Sequence, residues 1–395
     1  MRILTVGNMY PPHHLGGYEL MWRSSARHLR AAGHRVRVLT TDYATPRPDP
    51  AIAEDPEIDR GLRWYWRDHA WPKLSPLERL RLERHNLALL DRHLDEFRPD
   101  AIGWWSMGGM SLGMIDRALA RGVPGAGIVV DDWVLYAPIV EPWGRTAALP
   151  RRARGLLSSP LTPRSRARFD RDLEWVLVSG KVRDHARDGG WKLPAHTVAH
   201  GGVDAELFAA ASVEPWRGRL LLVGRLEERK GVHVAIAAIA RLPGMTLTVI
   251  GAGDERYRRR LEQEAAELGV SDRVSFEICD REQLPAAYAA HDAVLFPVQW
   301  KEPFGLVPLE AMAVGRPVVA TGTGGSGEYL EDGVNCLLYA PPEDPEALAG
   351  AVRRLASDPE LRQKLRDGGA RTTGRLSQDA FNRQVELALG RAVDG

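Results

Sequence analysis

Glu302-Pro303-Phe304-Gly305-Leu306-Val307-Pro308-Leu309-Glu310-Ala311-Met312-Ala313 follows a short apolar run, 293–297, and reads as a buried strand passing through a loop into a helix. Proline is tolerated in a helix's first turn and not in its interior, so Pro308 sets the helix start close to Val307. Glu302 then lies in the loop and Glu310 in or just beyond the first turn. The two carboxylates are eight positions apart, a span of about 12 Å along a helix axis and slightly more where the chain is loop. That is the reach of a nucleotide-sugar from its sugar ring to its ribose, and a carboxylate, which accepts two hydrogen bonds, suits a diol. A helix start leaves its first amides unpaired and favours an anion, which makes Phe304, Gly305 and Leu306 candidate contacts.

The same alternation of short apolar strands and longer amphipathic stretches runs outward along the chain. In the first half, strands are expected at 3–6, 35–40, 62–66, 101–105, 127–130 and 176–179, with helices at 18–32, 77–97, 108–121 and 181–188. A second series has strands at 219–223, 247–250, 274–277, 293–296, 317–320 and 336–338, with helices at 232–240, 255–268 and 285–290. This order predicts an α/β protein of two Rossmann-like doubly wound domains facing a cleft, where the carboxyl ends of both sheets would meet a ligand. The expected division is a first domain over 1–197, a linker over 198–216 containing Gly201, Gly202 and Pro215, a second domain over 217–376 and a final helical segment, 377–395.

The chain of 395 residues is long enough for more than one core. Its 53 Lys and Arg against 52 Asp and Glu leave a net charge of +1, which argues against nucleic acid or another polyanion as partner. No apolar run reaches membrane-spanning length, and residues 1–10 lack a secretory leader's pattern, so a cytoplasmic protein is expected. Cys279 and Cys336 are the only cysteines, without metal-ligand spacing, and read as free thiols. Neither a metal nor a cofactor is expected.

Other motifs fall at expected strand ends. Gly224-Arg225-Leu226-Glu227-Glu228-Arg229-Lys230-Gly231 follows the strand at 219–223, and Arg225 and Lys230 flank a helix start as a diphosphate would require. Both are expected to face solvent; the alternative is a pair of solvated charges in a turn. After the first strand comes Gly16-Gly17-Tyr18-Glu19, whose glycines permit backbone amides to approach a phosphate or sugar, or simply make a tight turn. A third glycine-rich turn, 321–328, follows the strand at 317–320. None of these matches a P-loop or a dinucleotide fingerprint.

Together with His200-Gly201-Gly202-Val203-Asp204 and Pro317-Val318-Val319-Ala320, these motifs resemble the retaining glycosyltransferase family four, glycosyl transferases group 1, of the two-domain GT-B fold. The match covers nearly all of the second half and is looser in the first. The resemblance implies transfer of a sugar from a nucleotide diphosphate donor, UDP-sugar before GDP-sugar, with the anomeric configuration kept and no required metal. It implies that Arg225 and Lys230 hold the diphosphate, that Gly16 and Gly17 line it with the Gly17 amide donating, and that Glu310 binds the ribose. Glu302 would contact the donor sugar with the amides of Phe304, Gly305 and Leu306, and the main chain near Cys279 would meet the base. The last helix, near 378–389, would cross back onto the first domain. One departure stands out: Asp131-Asp132-Trp133 occupies the place of the family's His-Asp pair, with Asp131 at the His position, either facing the reacting sugar opposite Glu302 or serving as a helix cap or salt-bridge partner.

The acceptor, a hydroxyl of a glycan, a lipid-linked or a small molecule, belongs to the first domain, which carries ten of the twelve tryptophans. Trp104, Trp105, Trp133, Tyr136 and Trp143 lie at or after strand ends, where a ring stacks on a sugar unless it is simply core. The segment 145–168, rich in Arg, Pro and Ser, is either a flap touching the inner membrane face peripherally or a solvated loop. The rival functions are a nucleotide-sugar epimerase of the same fold and a catalytically silent binding module.

Overall fold

A computed structural model describes residues 1–45, 48–66, 70–140 and 172–395. The chain forms two compact units, Met1–His200 with Phe381–Gly395, and Gly201–Ala380. The first unit carries strands β1 (Arg2–Val6), β2 (Arg35–Thr41), β3 (Ile58–Leu62), β4 (Ala101–Trp104), β5 (Gly125–Val129), β6 (Glu174–Leu177) and β7 (His196–Val198). Its helices among the described residues are α1 (Gly17–Ala31), α2 (Pro76–Glu96), α3 (Gly113–Ala120), α4 (Trp133–Val140) and α5 (Gly180–Asp188). The strands form one parallel sheet in the order β3-β2-β1-β4-β5-β6-β7. Ile3, Leu4 and Val6 of β1 are fully buried, as expected of a central parallel strand covered on both faces. The order turns about β1, so the carboxyl ends of β1 and β4 flank a topological switch point.

The second unit carries β8 (Arg219–Val223), β9 (Thr246–Ile250), β10 (Val274–Glu277), β11 (Ala293–Phe296), β12 (Val318–Ala320) and β13 (Leu337–Leu338). Its helices are α6 (Val232–Ile239), α7 (Glu255–Glu267), α8 (Leu284–Ala290), α9 (Val307–Ala313), α10 (Pro345–Ser357) and α11 (Pro359–Arg375). The sheet is again parallel, β10-β9-β8-β11-β12-β13, with its switch point between β8 and β11. Leu220 and Leu222 of β8, Val234 and Ile236 of α6, Leu295 of β11 and Val352 of α10 share one core.

The final helix, α12 (Gln378–Asp394), has its residues from Phe381 onward in the first unit. There Asn382 Oδ1 accepts from Ser25 Oγ at 2.7 Å, and Glu386 accepts from His28 and His34 at 2.8 and 3.1 Å. The chain enters the second unit after His200, and most of the stretch expected as linker belongs to that unit. Phe208 packs on Tyr288 at 5.9 Å, and the Ser212 carbonyl accepts from Arg316 at 2.8 Å.

Four elements differ from expectation in the first unit, and the simplest is β7, a three-residue edge strand, His196-Thr197-Val198, where none was expected. The strand expected at 62–66 ends at Leu62, because the following aromatics turn onto the β4 loop, where Tyr65 N donates to Gly109 O at 3.1 Å. The helix expected from 108 begins at Gly113, since Gly109 holds a left-handed φ of 70°. Helix α4 was not anticipated: its run Trp133-Val134-Leu135-Tyr136-Ala137 is apolar nearly all round and shows no helical period.

Candidate functional site

At the second unit's switch point, β8 leads through Gly224-Arg225 to the turn Glu228–Lys230, and β11 leads to Trp300 and Glu302. Gly231 joins this turn to α6 with φ 72°, and a Cβ there would lie 1.9 Å from the Pro297 carbonyl, so only glycine lets the two strand ends close on each other. The result is an ion pair between Lys230 Nζ and Glu302 Oε2 at 2.7 Å, the two side chains 16% and 14% exposed. Trp300 Nε1 donates to the same oxygen at 2.7 Å. The Arg229 guanidinium lies 4.0 Å from the Trp300 ring centroid, a cation–π contact. Glu227 ties this arginine to the next, accepting from Arg229 at 2.5 Å and pairing with Arg225 at 2.8 Å. The glycine-rich turn after β12 supports the backbone of Glu302, whose carbonyl accepts from Gly325 N at 2.7 Å.

Helix α9 carries Glu310, which is buried. Its Oε1 accepts from Arg281 Nη1 at 3.1 Å and its Oε2 from Tyr288 OH at 2.9 Å. Arg281 is two residues past Cys279 and opens a short turn after β10, so that segment and Glu310 are joined by an ion pair. The Cys279 thiol is pushed up by burial and by Asp280 and Glu277. The α9 start is braced by Tyr329, whose hydroxyl donates to the Gly305 carbonyl and whose ring lies 5.1 Å from that of Phe304. Phe304 is itself buried, while Gly305 and Leu306 are half-buried.

The structure corrects one expectation here. Lys230 is not a solvent-facing cation, because its pairing with Glu302 draws it into the protein; Arg225, at 45% side-chain exposure, is solvent-facing. Trp300, Arg281 and Tyr288 complete the site without a motif to mark them. The nearest sequence signal is Trp300 two residues before Glu302, a spacing that lets an indole reach back to a loop carboxylate.

In the first unit, the ends of β1, β4 and β5 bring together a separate polar group. Asn8 Nδ2 donates to Ser106 Oγ at 3.3 Å, and Tyr18 OH donates to Asn8 Oδ1. Asp131 accepts from Tyr136 OH at 2.9 Å, from Trp133 N at 3.2 Å and from Ser106 Oγ at 3.3 Å. Burial pushes the Asp131 carboxyl up to about 6, against the pull of these donors and aided by Asp132. The bond to Trp133 N is that of a helix cap, and the Tyr136 and Ser106 bonds go beyond it.

Three sequence expectations in this unit are corrected or limited. Trp105 and Trp133 are not open to an acceptor: each is buried, Trp105 stacked on Trp22 at 6.0 Å and Trp133 packed among Trp175 and Trp191, with its Nε1 donating to Ile128 O. The Gly16 amide donates to Glu19 Oε2 at 3.1 Å, so it is already engaged in closing the head of α1. The segment 145–168 and Trp143 lie outside the described residues. Among the described residues no helix is long and apolar enough to cross a membrane, and no cluster of His, Cys, Asp and Glu groups as metal ligands.

Two family descriptions match the chain in tandem, Glycosyltransferase Family 4 over residues 15–207 and Glycosyl transferases group 1 over residues 210–372. A glycogen synthase of Mycobacterium tuberculosis is 31% identical over 403 aligned residues, covering 92% of this chain and 88% of that protein. In fold, the chain is similar to sucrose-phosphate synthase of Thermosynechococcus elongatus, with TM-score 0.75, 22% identity and coverage of 99% and 98%. It is also similar to an Anabaena protein crystallised with UDP and glucose, with TM-score 0.72, 21% identity and coverage of 99% for both chains. The parallel sheets, the paired glutamates and these matches place the chain in glycosyltransferase family 4, with the GT-B fold.

Proposed function

We propose that this glycosyltransferase moves a sugar from a nucleotide diphosphate donor, with UDP-sugar favoured over GDP-sugar, to a hydroxyl acceptor, retaining the anomeric configuration and requiring no metal. The observation that carries the donor assignment is the Lys230–Glu302 pair at the β8/β11 switch point. An ammonium suits a diphosphate and a carboxylate suits a sugar's hydroxyls, and here the two are adjacent. Arg225 adds a second, exposed cation on the same turn. Fixed cations would stabilise the charge that grows on the departing nucleotide, the effect that gives such sites most of their rate. Glu310 would take the ribose diol through the lone pairs that Arg281 and Tyr288 leave. The Cys279 loop would meet the base, and the amides of Gly305 and Leu306 would meet the donor sugar. In the first unit the Gly17 amide would offer a donor to a phosphate, and Asp131 would accept a hydroxyl of the reacting sugars. The UDP in the Anabaena structure favours the uridine reading. Neither the epimerase nor the silent-module reading has an observation in its favour.

The test is incubation with UDP-, GDP-, ADP- and dTDP-sugars in excess EDTA, with methyl glycosides and myo-inositol as hydroxyl acceptors, following nucleotide release and the anomeric proton of the glycoside product by NMR. Release of nucleotide with a product of the donor's own anomeric configuration is expected. Inverted product, or activity that only added magnesium restores, overturns the mechanism; interconversion of the sugar without release would make the protein an epimerase.

A further inference from the structure

The loop after β4 has two consecutive residues without side chains, Gly108 and Gly109, and each carries an aromatic ring. A Cβ on Gly108 would lie 2.1 Å from Tyr136 Cε2, and one on Gly109 would lie 2.3 Å from Trp71 Cζ3. Adjacent Cα atoms are about 3.8 Å apart, so the two rings flank a single turn. Trp64 fixes that turn from behind, donating Nε1 to Gly108 O at 2.8 Å. Trp66 and Tyr43 extend the aromatic group, with the Trp64 and Trp66 centroids 4.7 Å apart and Tyr43 5.6 Å from each. Yet Trp71 itself is 43% exposed. Tyr136 links this aromatic turn to a charge, since its hydroxyl donates to Asp131 at 2.9 Å and both residues are half-buried.

We infer that Trp71 and Tyr136, seated on Gly108 and Gly109, form a binding subsite for a pyranose or cyclitol ring, with Asp131 as the acceptor of one of its hydroxyls. An indole that is 43% exposed favours a partner with an apolar surface. A purely apolar partner, however, would cover the neighbouring carboxylate without replacing its water, at a cost of several kcal/mol for a charge. A rigid ring with one CH face and a rim of hydroxyls satisfies both neighbours at once. The turn also leaves β4 at the first sheet's switch point, where ligands of open α/β sheets bind. The inference rests on the transferase reading in one respect only: that reading makes the bound ring the acceptor.

The experiment is saturation-transfer NMR on the full chain without donor, using the methyl α-glycosides of glucose, galactose and mannose and myo-inositol as probes at millimolar concentration. At least one probe should receive saturation at its ring CH protons. Trp71→Ala should raise that probe's Kd about tenfold, and Trp71→Leu, which keeps apolar volume without a flat face, should do the same. Trp71→Phe should stay within about threefold of the parent, and the affinity for free nucleotide should not move in any of them. Failure of all four probes to bind overturns the subsite, as does binding that Trp71→Leu leaves unchanged. Probe binding that depends on Trp71, in a protein that turns over no nucleotide-sugar, would sink the transferase reading and leave the subsite standing. Turnover without Trp71-dependent binding would do the reverse.

Discussion

Lys230 Nζ and Glu302 Oε2 are 2.7 Å apart, and the oxygen that pairs with the lysine also accepts from the Trp300 indole at 2.7 Å. One carboxylate oxygen is thus committed to holding the loop in shape, which leaves the other to meet a ligand. Both charged groups are mostly withdrawn from water, so each depends on the other for its solvation. The pair is a structural unit in its own right, and single substitutions in it are expected to act on stability and turnover together.

Arg225 and Lys230 are therefore expected to separate in their effects, although the same diphosphate role is proposed for both. Arg225→Ala should lower turnover on the order of a hundredfold with little change in melting temperature, because its side chain is solvent-facing. Lys230→Ala should lower turnover similarly and also lower the melting temperature, because it strands Glu302 without a counter-charge. Lys230→Ala combined with Glu302→Gln should recover the stability and not the activity. Thermal melts beside steady-state rates decide this; equal melts for both single variants would show that the ion pair does not stabilise the loop.

Trp300 is expected to act by positioning Glu302. Trp300→Phe keeps a ring beneath Arg229 and removes the hydrogen bond to the carboxylate. A hydrogen bond to a charged group contributes about 1.5–3 kcal/mol, so kcat/KM for the donor should fall on the order of tenfold or more. Unchanged kcat/KM would mean that Lys230 alone suffices to aim Glu302.

Much of this was legible in the chain because β8, β11 and β12 are short, nearly uninterrupted apolar runs and β10, Val274-Ser275-Phe276-Glu277, alternates. The expected strands at 219–223, 274–277 and 293–296 coincide with β8, β10 and β11, and Pro308 placed the start of α9 within a residue. The first unit was harder to read. Its β3 is an edge strand, Ile58-Asp59-Arg60-Gly61-Leu62, with too little apolar periodicity to stand out, and the neighbouring aromatic run is a buried loop rather than a strand. Tryptophan position after a strand end says nothing about which face of the ring is covered. Trp105 and Trp133 turned inward, while Trp71, in a stretch without strand or helix signal, turned outward. The Lys230–Glu302 pair joins residues 72 apart in sequence, a juxtaposition that only the order of the strands supplies.

Glu310→Gln should weaken binding of the free nucleotide. Its oxygens accept from Arg281 and Tyr288 at once, and an amide can replace only one of them as an acceptor while turning a donor toward the other. The loss should approach tenfold in Kd by calorimetry. Equal affinities would remove Glu310 from the ribose site and leave it as an anchor for the Arg281 loop.

Glu83 gives the first unit a pH-dependent stability. It is buried, accepts from Tyr65 and Ser111 on Oε1, and among the described residues its Oε2 has no partner. Burial pushes this carboxyl up to about 7, against the pull of those two donors. Its folded value lies above its unfolded one, so the folded protein binds the extra proton between them, and stability is lost as pH rises from about 4.5 through 7. The loss is on the order of 3 kcal/mol when complete. Glu83→Gln should therefore show a melting temperature that falls less between pH 5 and 8, as about that much of the linkage is removed. An identical pH dependence in both proteins would show that the carboxyl ionises without cost.

Asp131 tests the departure from the family pattern. With its carboxyl held up to about 6 by burial, a working carboxylate gives turnover that rises as pH climbs through that value and then levels. Asp131→Asn should abolish this acid limb and lower the plateau at least about tenfold, or 1.4 kcal/mol, with nucleotide affinity unchanged. Tyr136→Phe removes a donor that favours the charged form, so it should shift the acid limb to higher pH without abolishing it. Stability works in the opposite sense. Because the folded carboxyl binds its proton more tightly than the unfolded one, its contribution is largest at low pH and lost as pH rises through about 6. Asp131→Asn should therefore not lower the melting temperature above that pH. If it does lower it while turnover stays intact, the bond to Trp133 N is what matters, and Asp131 is a helix cap outside the chemistry.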